Sequence, residues 1–408
     1  MVSSSIFRQL KKTYWIIVII SILGCQRSKP IELVNAQPID IATTESMPSG
    51  VSTLTLSLST PTVKSPLATI TATIEKTPTA TLPASFSTWQ STLTPTTIPI
   101  TTFLFTGVIV PGRCVQASID ATGNPDYPYE KVKDQISSVD LAVGTLNASI
   151  SDQTEHTGCD WGYQMVGSAS NADALGRAGF DVISVASNHI KDCGAQKSWC
   201  DDVFLDTLNN LERVGIQPVG GGSNLQQALE PVIVEINDTR FAFVSLGDIK
   251  MDESVFARAD HPGIARLTQE NISAAISVAR KEAEVVIALP HWGPESVAVP
   301  NWIQRNQARQ IVSAGADLIV GNHTHVVQGI QEIDGVPVFY GLGNFIFDQW
   351  YPDHRQGVML LVRFQGSHLI GYDLIPTHVD QDGQVRLADP QESVEILKRI
   401  EEASKKIR

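Results

Sequence analysis

Apolar residues occur from about residue 101 onwards as short runs rich in β-branched and aromatic side chains, and helix-like stretches separate these runs. Continuous apolar runs of this length are typical of strands that are buried on both faces of a sheet. They predict strands at 103–105, 141–143, 182–186, 241–246, 285–289, 318–320 and 338–340. The intervening patterns predict helices at 172–178, 204–214, 272–283 and 302–314. This alternation indicates an α/β fold with a layered β-sheet core flanked by helices.

Polar side chains gather just after the ends of these predicted strands. His189 follows the strand at 182–186, His291 follows 285–289, and both His323 and His325 follow 318–320. Ligands bind at the carboxyl edge of α/β sheets, so four of the nine histidines are predicted to meet there. In an extended segment, residues two apart point to the same side. The pattern therefore favours a metal site, with ordinary loop histidines as the alternative.

The other histidines lack this placement. We interpret them as surface or structural residues: His156, His261, His354, His368 and His378.

The first residues have the pattern of a bacterial export signal. Arg8, Lys11 and Lys12 precede an apolar run at 14–23 that is too short to span a bilayer comfortably. The run ends in Ile-Leu-Gly-Cys, which resembles a lipobox and implies that residues 1–25 are a lipoprotein signal peptide with Cys25 as the lipidated residue. The alternative is an uncleaved signal anchor with an incidental cysteine. We expect an exported protein that is lipid-anchored to the outer face of the cell membrane.

Composition divides the remainder of the chain into three parts. Residues 26–100 are dominated by Ser, Thr and Pro and predict a disordered tether, because such a segment buries too little apolar surface to fold. Residues 101–380 hold the α/β pattern, and residues 381–408 predict a charged C-terminal helix.

Four cysteines follow Cys25, and an even number in an exported domain indicates two disulfides. Three pairings are possible. A Cys193–Cys200 bond would close a small loop and leave Cys114 to pair with Cys159. Metal thiolates are the alternative, but the chain lacks a C-x-x-C spacing.

The formal net charge of −13 and the isoelectric point near 5.1 argue against a nucleic-acid partner, which would call for a basic patch. They are compatible with an anionic substrate that is held by a few local arginine or metal charges.

Four segments carry a resemblance to a known family: DVISVASNHIKDCG, PHWGPE, GADLIVGNHTHVVQ and GVPVFYGLGNFIFDQ. Over roughly residues 102–375 the chain resembles the CapA family of capsule-biosynthesis proteins. That family is associated with poly-γ-glutamate and is similar to calcineurin-type metallophosphatases. The resemblance implies a metallophosphatase-type fold whose site is similar to a dinuclear metal centre.

The resemblance also implies roles for individual residues, as follows. The metal ligands would be Asn188, His291, His323 and His325. His189 would be the catalytic outer-sphere group, with Asp192 as the residue that orients it. Arg113 matches an arginine of the first family motif and would bind an anionic substrate group, unless it is a structural arginine that bridges strand ends. Glu295 is a further expected substrate contact.

Two positions depart from the family pattern. Val108 stands where members carry the Asp of a Gly-Asp pair, and Asn147 stands where they carry the Glu of Asn-Leu-Glu. Without these carboxylates, two neighbouring cations would repel each other strongly. We therefore expect one divalent metal ion, Zn, Mn or Fe, at this site. Asp152, Asp192 and Glu295 lie near the motifs but are not expected to be ligands.

Two functions remain open at this point. The first is a lipid-anchored, metal-assisted hydrolase or transferase that acts on poly-γ-glutamate or another anionic cell-envelope polymer, within a capsule-synthesis complex. The second is a non-catalytic protein that binds or guides such a polymer on a degenerate metallophosphatase fold. The histidine cluster favours the first function, and the missing carboxylates favour the second.

Overall fold

The computed structural model describes residues 98–159, 162, 164–193, 200–248 and 253–407. The expected signal peptide, Cys25 and the expected tether up to residue 97 lie outside the described residues. Within the described ranges, no helix combines the length and the apolar character that crossing a lipid bilayer requires.

Strands and helices alternate along the described chain. The strands are β1 (Ile100–Ile109), β2 (Leu141–Leu146), β3 (Ser149–Ile150), β4 (Val166–Gly167), β5 (Val182–Ser184), β6 (Gln217–Val219), β7 (Gly221–Gly222), β8 (Val232–Ile236), β9 (Thr239–Asp248), β10 (Gly263–Ile264), β11 (Val285–Trp292), β12 (Leu318–Val320), β13 (Ile330–Ile333), β14 (Val336–Phe339), β15 (Asn344–Ile346), β16 (Gln356–Gln365), β17 (His368–Val379) and β18 (Val385–Leu387). The α-helices are α1 (Cys114–Thr122), α2 (Lys133–Ser137), α3 (Ser170–Ala178), α4 (Asp201–Arg213), α5 (Leu225–Leu229), α6 (Gln269–Glu282), α7 (Trp302–Ala314) and α8 (Pro390–Ser404). Each predicted strand and helix is present, with boundaries that differ by a few residues.

Most of the strands belong to two large sheets. The first has the order β18-β17-β16-β1-β2-β5-β6, and β15 also pairs with β1. The second has the order β13-β14-β12-β11-β9-β8. Neighbours β1, β2, β5 and β6 run parallel, and so do β9, β11, β12 and β14. Parallel neighbours place their carboxyl ends at one edge, which is where the candidate site lies.

The two large sheets pack face to face, and helices cover their outer faces. In β9, Phe241 points into the core between the sheets, whereas Ala242 packs on the side of α6 and α7. Phe103 of β1 meets Phe241 across this core, with ring centroids 4.7 Å apart. Both faces of these strands are buried, which explains why they read as continuous apolar runs. The helix–sheet–sheet–helix arrangement confirms the predicted α/β class.

Two disulfides join the four cysteines of the described chain. Cys114 at the start of α1 is bonded to Cys159, and Cys193 is bonded to Cys200 just before α4. Of the three possible pairings, this is the one in which Cys193 and Cys200 close a small loop, and it confirms the two predicted disulfides.

The C-terminal segment contains both a strand and a helix. Strand β18 lies within the range 381–408 and pairs with β17, so this range contributes to the first sheet. Helix α8 begins at Pro390, where Asp389 and Glu392 form a capping box. Ile396 and Ile400 of α8 belong to the core between the sheets, so the helix is attached to the domain by apolar packing.

Candidate metal centre

Loops from both sheets bring polar side chains together at the carboxyl edge. Asn188 follows β5 of the first sheet, His291 lies near the end of β11 of the second sheet, and His323 follows β12. The Oδ1 of Asn188 lies 3.0 Å from the Nε2 of His291, so the two sheets meet through these side chains. The Nδ1 of His323 lies 3.1 Å from the same His291 nitrogen.

These three atoms form a donor set that fits one divalent cation. Atoms that each bind an ion at about 2.0–2.1 Å lie about 3 Å from one another, and the Nε2 of His291 lies at this distance from both the Asn188 oxygen and the His323 nitrogen. All three side chains are buried, and the Nδ1 of His291 has no hydrogen-bond partner among the described residues. Nitrogen and neutral oxygen donors in this number suit Zn, Mn or Fe.

The imidazoles of the cluster are neutral at neutral pH. Burial, assisted by the proximity of His189, lowers the pKa of His323 to about 4. Burial and then the proximity of His323 lower the pKa of His325 to about 3. Burial also holds the pKa of His291 well below its ordinary value. Neutral imidazole is the form that binds metals, so the fold keeps these side chains ready as ligands.

His325 is oriented by Asn344, the first residue of β15. Its Nδ1 lies 2.9 Å from the Oδ1 of Asn344. A carbonyl oxygen can only accept, so the proton sits on Nδ1 and the Nε2 lone pair remains available. The ring centroid of His325 lies 5.9 Å from that of His323. Asn344 thus orients His325, and its sequence signals are its position after β14 and its place in the segment GVPVFYGLGNFIFDQ.

Glu295, His323 and His325 form a second group of side chains that could bind a metal ion. One ligand atom from each of these three residues lies within 4.8 Å of the other two. The two histidines are buried, whereas Glu295 is exposed. The sequence predicted Glu295 as a substrate contact, and the fold places it at the mouth of the candidate centre.

His189 and Asp192 form a buried pair beside the centre. The Nδ1 of His189 lies 2.7 Å from the Oδ2 of Asp192, which also accepts a hydrogen bond of 2.8 Å from the backbone N–H of Met165. Burial raises the pKa of Asp192, and the hydrogen bond with His189 opposes this rise. The pair fixes the orientation of the imidazole and leaves its Nε2 for proton transfer.

Arg113 is engaged within the protein. Its Nε and Nη2 both contact the carboxylate of Asp348, and its Nη1 donates to the carbonyl of Gly162 at 3.0 Å. The guanidinium is buried and lies over the ring of Phe347. These contacts favour the structural alternative, because a substrate anion would have to displace Asp348. The sequence analysis missed Asp348, which is 235 residues away along the chain.

Trp292 and Asp152, which both lie near the predicted motifs, make structural contacts. Trp292 is fully buried, stacks on Tyr340 and donates from Nε1 to the Tyr340 carbonyl at 2.9 Å. Asp152 contacts His156 and accepts from the backbone N–H of Ala169.

A cleft of about 390 Å³ opens beside the centre. It is lined by Ser296, Val326, Tyr351, Pro352, Asp353 and His354. The ring of His354 stacks on His325 at a centroid distance of 6.3 Å, and its Nε2 lies 2.9 Å from the Oγ of Ser296. His354, which the sequence analysis grouped with surface or structural histidines, therefore borders the site.

The two positions without family carboxylates lie beside the same loops. Val108 is fully buried in β1, and its backbone pairs with Asn344 and with Thr145. Asn147 follows β2, and its Oδ1 accepts a hydrogen bond from the backbone N–H of His189. Both side chains are uncharged, so this part of the site offers no anion to a cation.

Comparisons with known proteins agree on one family. Residues 102–349 match the model of the bacterial capsule synthesis protein family PGA_cap. The chain is 27% identical over 278 residues to the PGA biosynthesis protein CapA of Bacillus subtilis, covering 68% of this chain and 71% of that protein. It is 26% identical over 286 residues to the capsule biosynthesis protein CapA of Bacillus anthracis, covering 69% and 68%.

Among solved structures, a phosphatase from Mycoplasma pneumoniae is similar to this chain. Its TM-score is 0.44 at 13% identity, and the match covers 73% of this chain and 97% of that one.

Proposed function

The chain belongs to the bacterial capsule synthesis protein family PGA_cap, and from this we propose that it acts in the synthesis or export of a capsular polymer such as poly-γ-glutamate. The relatives from Bacillus subtilis and Bacillus anthracis support this role by their names. The activity that we propose is metal-assisted hydrolysis or group transfer at the candidate centre, with one divalent cation bound.

The observation that carries this activity is that the Nε2 of His291 lies 3.0 Å from the Asn188 oxygen and 3.1 Å from the Nδ1 of His323. These residues, together with His325, would hold the cation. A cation bound there would supply Lewis acidity toward a carbonyl or phosphoryl oxygen of the substrate.

Proton transfer falls to His189. Its Nδ1 is held by Asp192, so its Nε2 can give a proton to a leaving group or take one from a nucleophile. Asp192 acts through His189, by keeping the imidazole in one tautomer and one orientation. The backbone of His189 is anchored by Asn147, which holds the ring beside the centre.

The cleft beside His325 is the proposed site for the polymer. A polyanion is repelled at long range by a chain of net charge −13, so its attraction has to be local. Arg113 is already paired with Asp348 and adds no free positive charge. A cation held by the centre would therefore supply the local positive charge, and polymer binding would depend on the metal.

We also propose the arrangement along the chain. Residues 1–25 direct export and Cys25 carries the lipid, residues 26–100 are the tether, residues 101–380 form most of the domain, and residues 381–408 add β18 and the charged C-terminal helix α8 to it. Two disulfides support a location outside the cytoplasm, because disulfides persist in oxidising compartments. At the outer face of the membrane, the domain would work beside other proteins of a capsule-synthesis complex.

The second candidate is a protein that binds the polymer without turnover. Val108 and Asn147 favour it, because neither side chain brings the negative charge that would offset the repulsion between two cations. The polymer would then occupy the same cleft, and the cation would serve binding alone.

The experiment that separates these functions uses the lipidated protein in detergent, loaded with Zn²⁺, Mn²⁺ or Fe²⁺. Poly-γ-glutamate is incubated with wild type, with Asp192→Asn and with chelator-treated protein, and both binding and chain shortening are measured. Chelator-sensitive shortening that falls about 10²–10⁴-fold in Asp192→Asn, with metal content unchanged, supports the enzyme. Metal-dependent binding without shortening supports the binding protein. If binding and shortening are both absent, the proposed function is wrong.

A further inference from the structure

The loop after β11 is tied to the segment that carries the two site histidines. The backbone N–H of Ser296 donates to the carbonyl of Thr324 at 2.9 Å, and the Nε2 of Gln328 donates to the carbonyl of Val297 at 2.7 Å. On the other side, the Oγ of Ser296 lies 2.9 Å from the Nε2 of His354. Ser296 and Val297, which make these contacts, come directly after Glu295, so the backbone of Glu295 is held against the segment that carries His323 and His325.

The backbone is strained both in the loop after β11 and in the segment that carries His323 and His325. Ser296, His323 and His325 have φ angles of 63°, 101° and 58°, which side-chain-bearing residues rarely adopt. Such strain persists where the surrounding structure imposes it, often at ligand sites. Here it brings the Glu295 carboxylate and the nitrogens of both histidines within 4.8 Å of one another.

The charge balance of the centre calls for an anion at this point. Asn188, His291, His323 and His325 are buried, and each would bind a cation through a neutral amide oxygen or imidazole nitrogen. A divalent cation moved into a buried site keeps an uncompensated charge unless an anionic ligand joins it. Val108 and Asn147 cannot provide one. Glu295 is the carboxylate that the fold brings to the two histidines.

We propose that Glu295 is the anionic ligand of this centre and binds the same divalent cation as His323 and His325. This inference rests on the proposed function, because it assumes that the cluster holds a metal. It assigns the loop after β11 to the metal centre rather than to the substrate. A centre with one carboxylate and several imidazoles takes hard ions such as Mn²⁺ as well as Zn²⁺, whereas loss of the carboxylate should shift its preference toward Zn²⁺.

The test measures metal affinity directly, independent of any activity. The full-length apoprotein is titrated with Mn²⁺ and separately with Zn²⁺ by calorimetry, for wild type, Glu295→Gln, Glu295→His and His291→Ala. Glu282→Gln is the matched control, since Glu282 is an exposed glutamate on α6. Thermal melting of each apoprotein and of each metal-loaded protein is recorded alongside.

Glu295→Gln should raise the Kd for Mn²⁺ at least about 10–100-fold, the loss typical of altered metal-site residues. Glu295→His should retain Zn²⁺ binding and lose Mn²⁺ binding, because imidazole suits Zn²⁺ better. The apoproteins of wild type and Glu295→Gln should melt at the same temperature, since Glu295 is exposed, and at equal Mn²⁺ concentration the metal should stabilise the variant less than wild type. Glu282→Gln should behave as wild type throughout.

Two other results overturn the inference and can be told apart. If wild type binds one cation, His291→Ala weakens binding and Glu295→Gln does not, then Glu295 is not a ligand and the proposed centre stands. If wild type binds neither Mn²⁺ nor Zn²⁺, both the Glu295 inference and the metal centre of the proposed function are wrong.

Discussion

The side-chain oxygen of Asn147 accepts a hydrogen bond of 3.1 Å from the backbone N–H of His189. The Nδ2 of Asn147 is buried and has no partner within the described residues. The amide therefore anchors the loop that carries Asn188 and His189. A glutamate at this position would bring a negative charge to the same loop, which makes position 147 the natural place to test how many cations the site can hold.

Restoring both carboxylates should allow a second cation. We expect one divalent ion per chain in wild type and two in Val108→Asp/Asn147→Glu, because the new charges offset the repulsion between the ions. Metal-to-protein ratios by elemental analysis measure this, and metal should raise the melting temperature of the double variant more than that of wild type. The uncharged pair Val108→Asn/Asn147→Gln is the control. A wild-type ratio near two contradicts the single-cation site.

His323→Ala should remove most of the bound metal. Its nitrogen faces His291 at 3.1 Å, and a ligand atom of His323 also lies within 4.8 Å of Glu295 and His325, so the substitution affects both groups of donors. Elemental analysis after reconstitution with Zn²⁺ checks this outcome. His368→Ala, an exposed histidine on β17, is the control and should keep its metal. Full metal content in His323→Ala would show that the cation lies elsewhere.

The two disulfides should contribute unequally to stability. Their sequence separations are 45 and 7 residues, and loop-closure entropy assigns about 4 kcal/mol to the longer loop and about 2.5 kcal/mol to the shorter one. Denaturant unfolding of Cys114→Ser/Cys159→Ser and of Cys193→Ser/Cys200→Ser compares them. Alkylation of denatured wild type without reductant should label none of these four cysteines. A larger loss in the second variant would contradict the ranking.

The start of α8 should lose stability in acid. The hydrogen bonds of Glu392 to Arg386 lower the pKa of Glu392 from 4.5 to about 2. In the unfolded chain this carboxyl takes up a proton as the pH falls below its ordinary pKa, while in the folded chain it stays ionised. Its stabilisation is therefore complete above pH 4.5 and disappears as the pH falls toward 2.

The measurement for α8 is urea unfolding of wild type and Glu392→Gln from pH 7 down to pH 3. The difference in unfolding free energy should be constant at neutral pH and shrink in the acid range. Glu395→Gln, an exposed position on the same helix, is the control. A difference that does not change with pH would mean that the Arg386 pair does not set the pKa of Glu392.

Cys25→Ser tests the proposed lipid anchor. A lipid chain supplies membrane affinity through its buried methylene groups, so the variant should leave the membrane fraction or persist as uncleaved precursor. Cell fractionation and gel mobility measure this, with Cys193→Ser/Cys200→Ser as a control that keeps the anchor. Unchanged membrane association and mobility would mean that Cys25 carries no lipid.

The pattern of apolar residues determined the strands and helices of this domain. Strands such as β9 and β11 are buried on both faces, because sheet packs on sheet inside and helices pack outside. Burial on both faces requires a continuous apolar run, and such runs are visible in the chain without any coordinates. Polar residues at the ends of those runs then identified the edge where Asn188, His291 and His323 meet.

Only the tertiary structure decided what each polar side chain contacts. Arginine is a residue type that binds anions, but the guanidinium of Arg113 is paired with the carboxylate of Asp348, which lies 235 residues further along the chain. Glu295 and His354 reach His325 because two loops fold over one sheet edge, where Ser296 hydrogen-bonds to the backbone of Thr324 and to the ring of His354. Local patterns record the period of a strand or helix. Contacts between distant loops depend instead on strand order and loop path, which no local pattern contains.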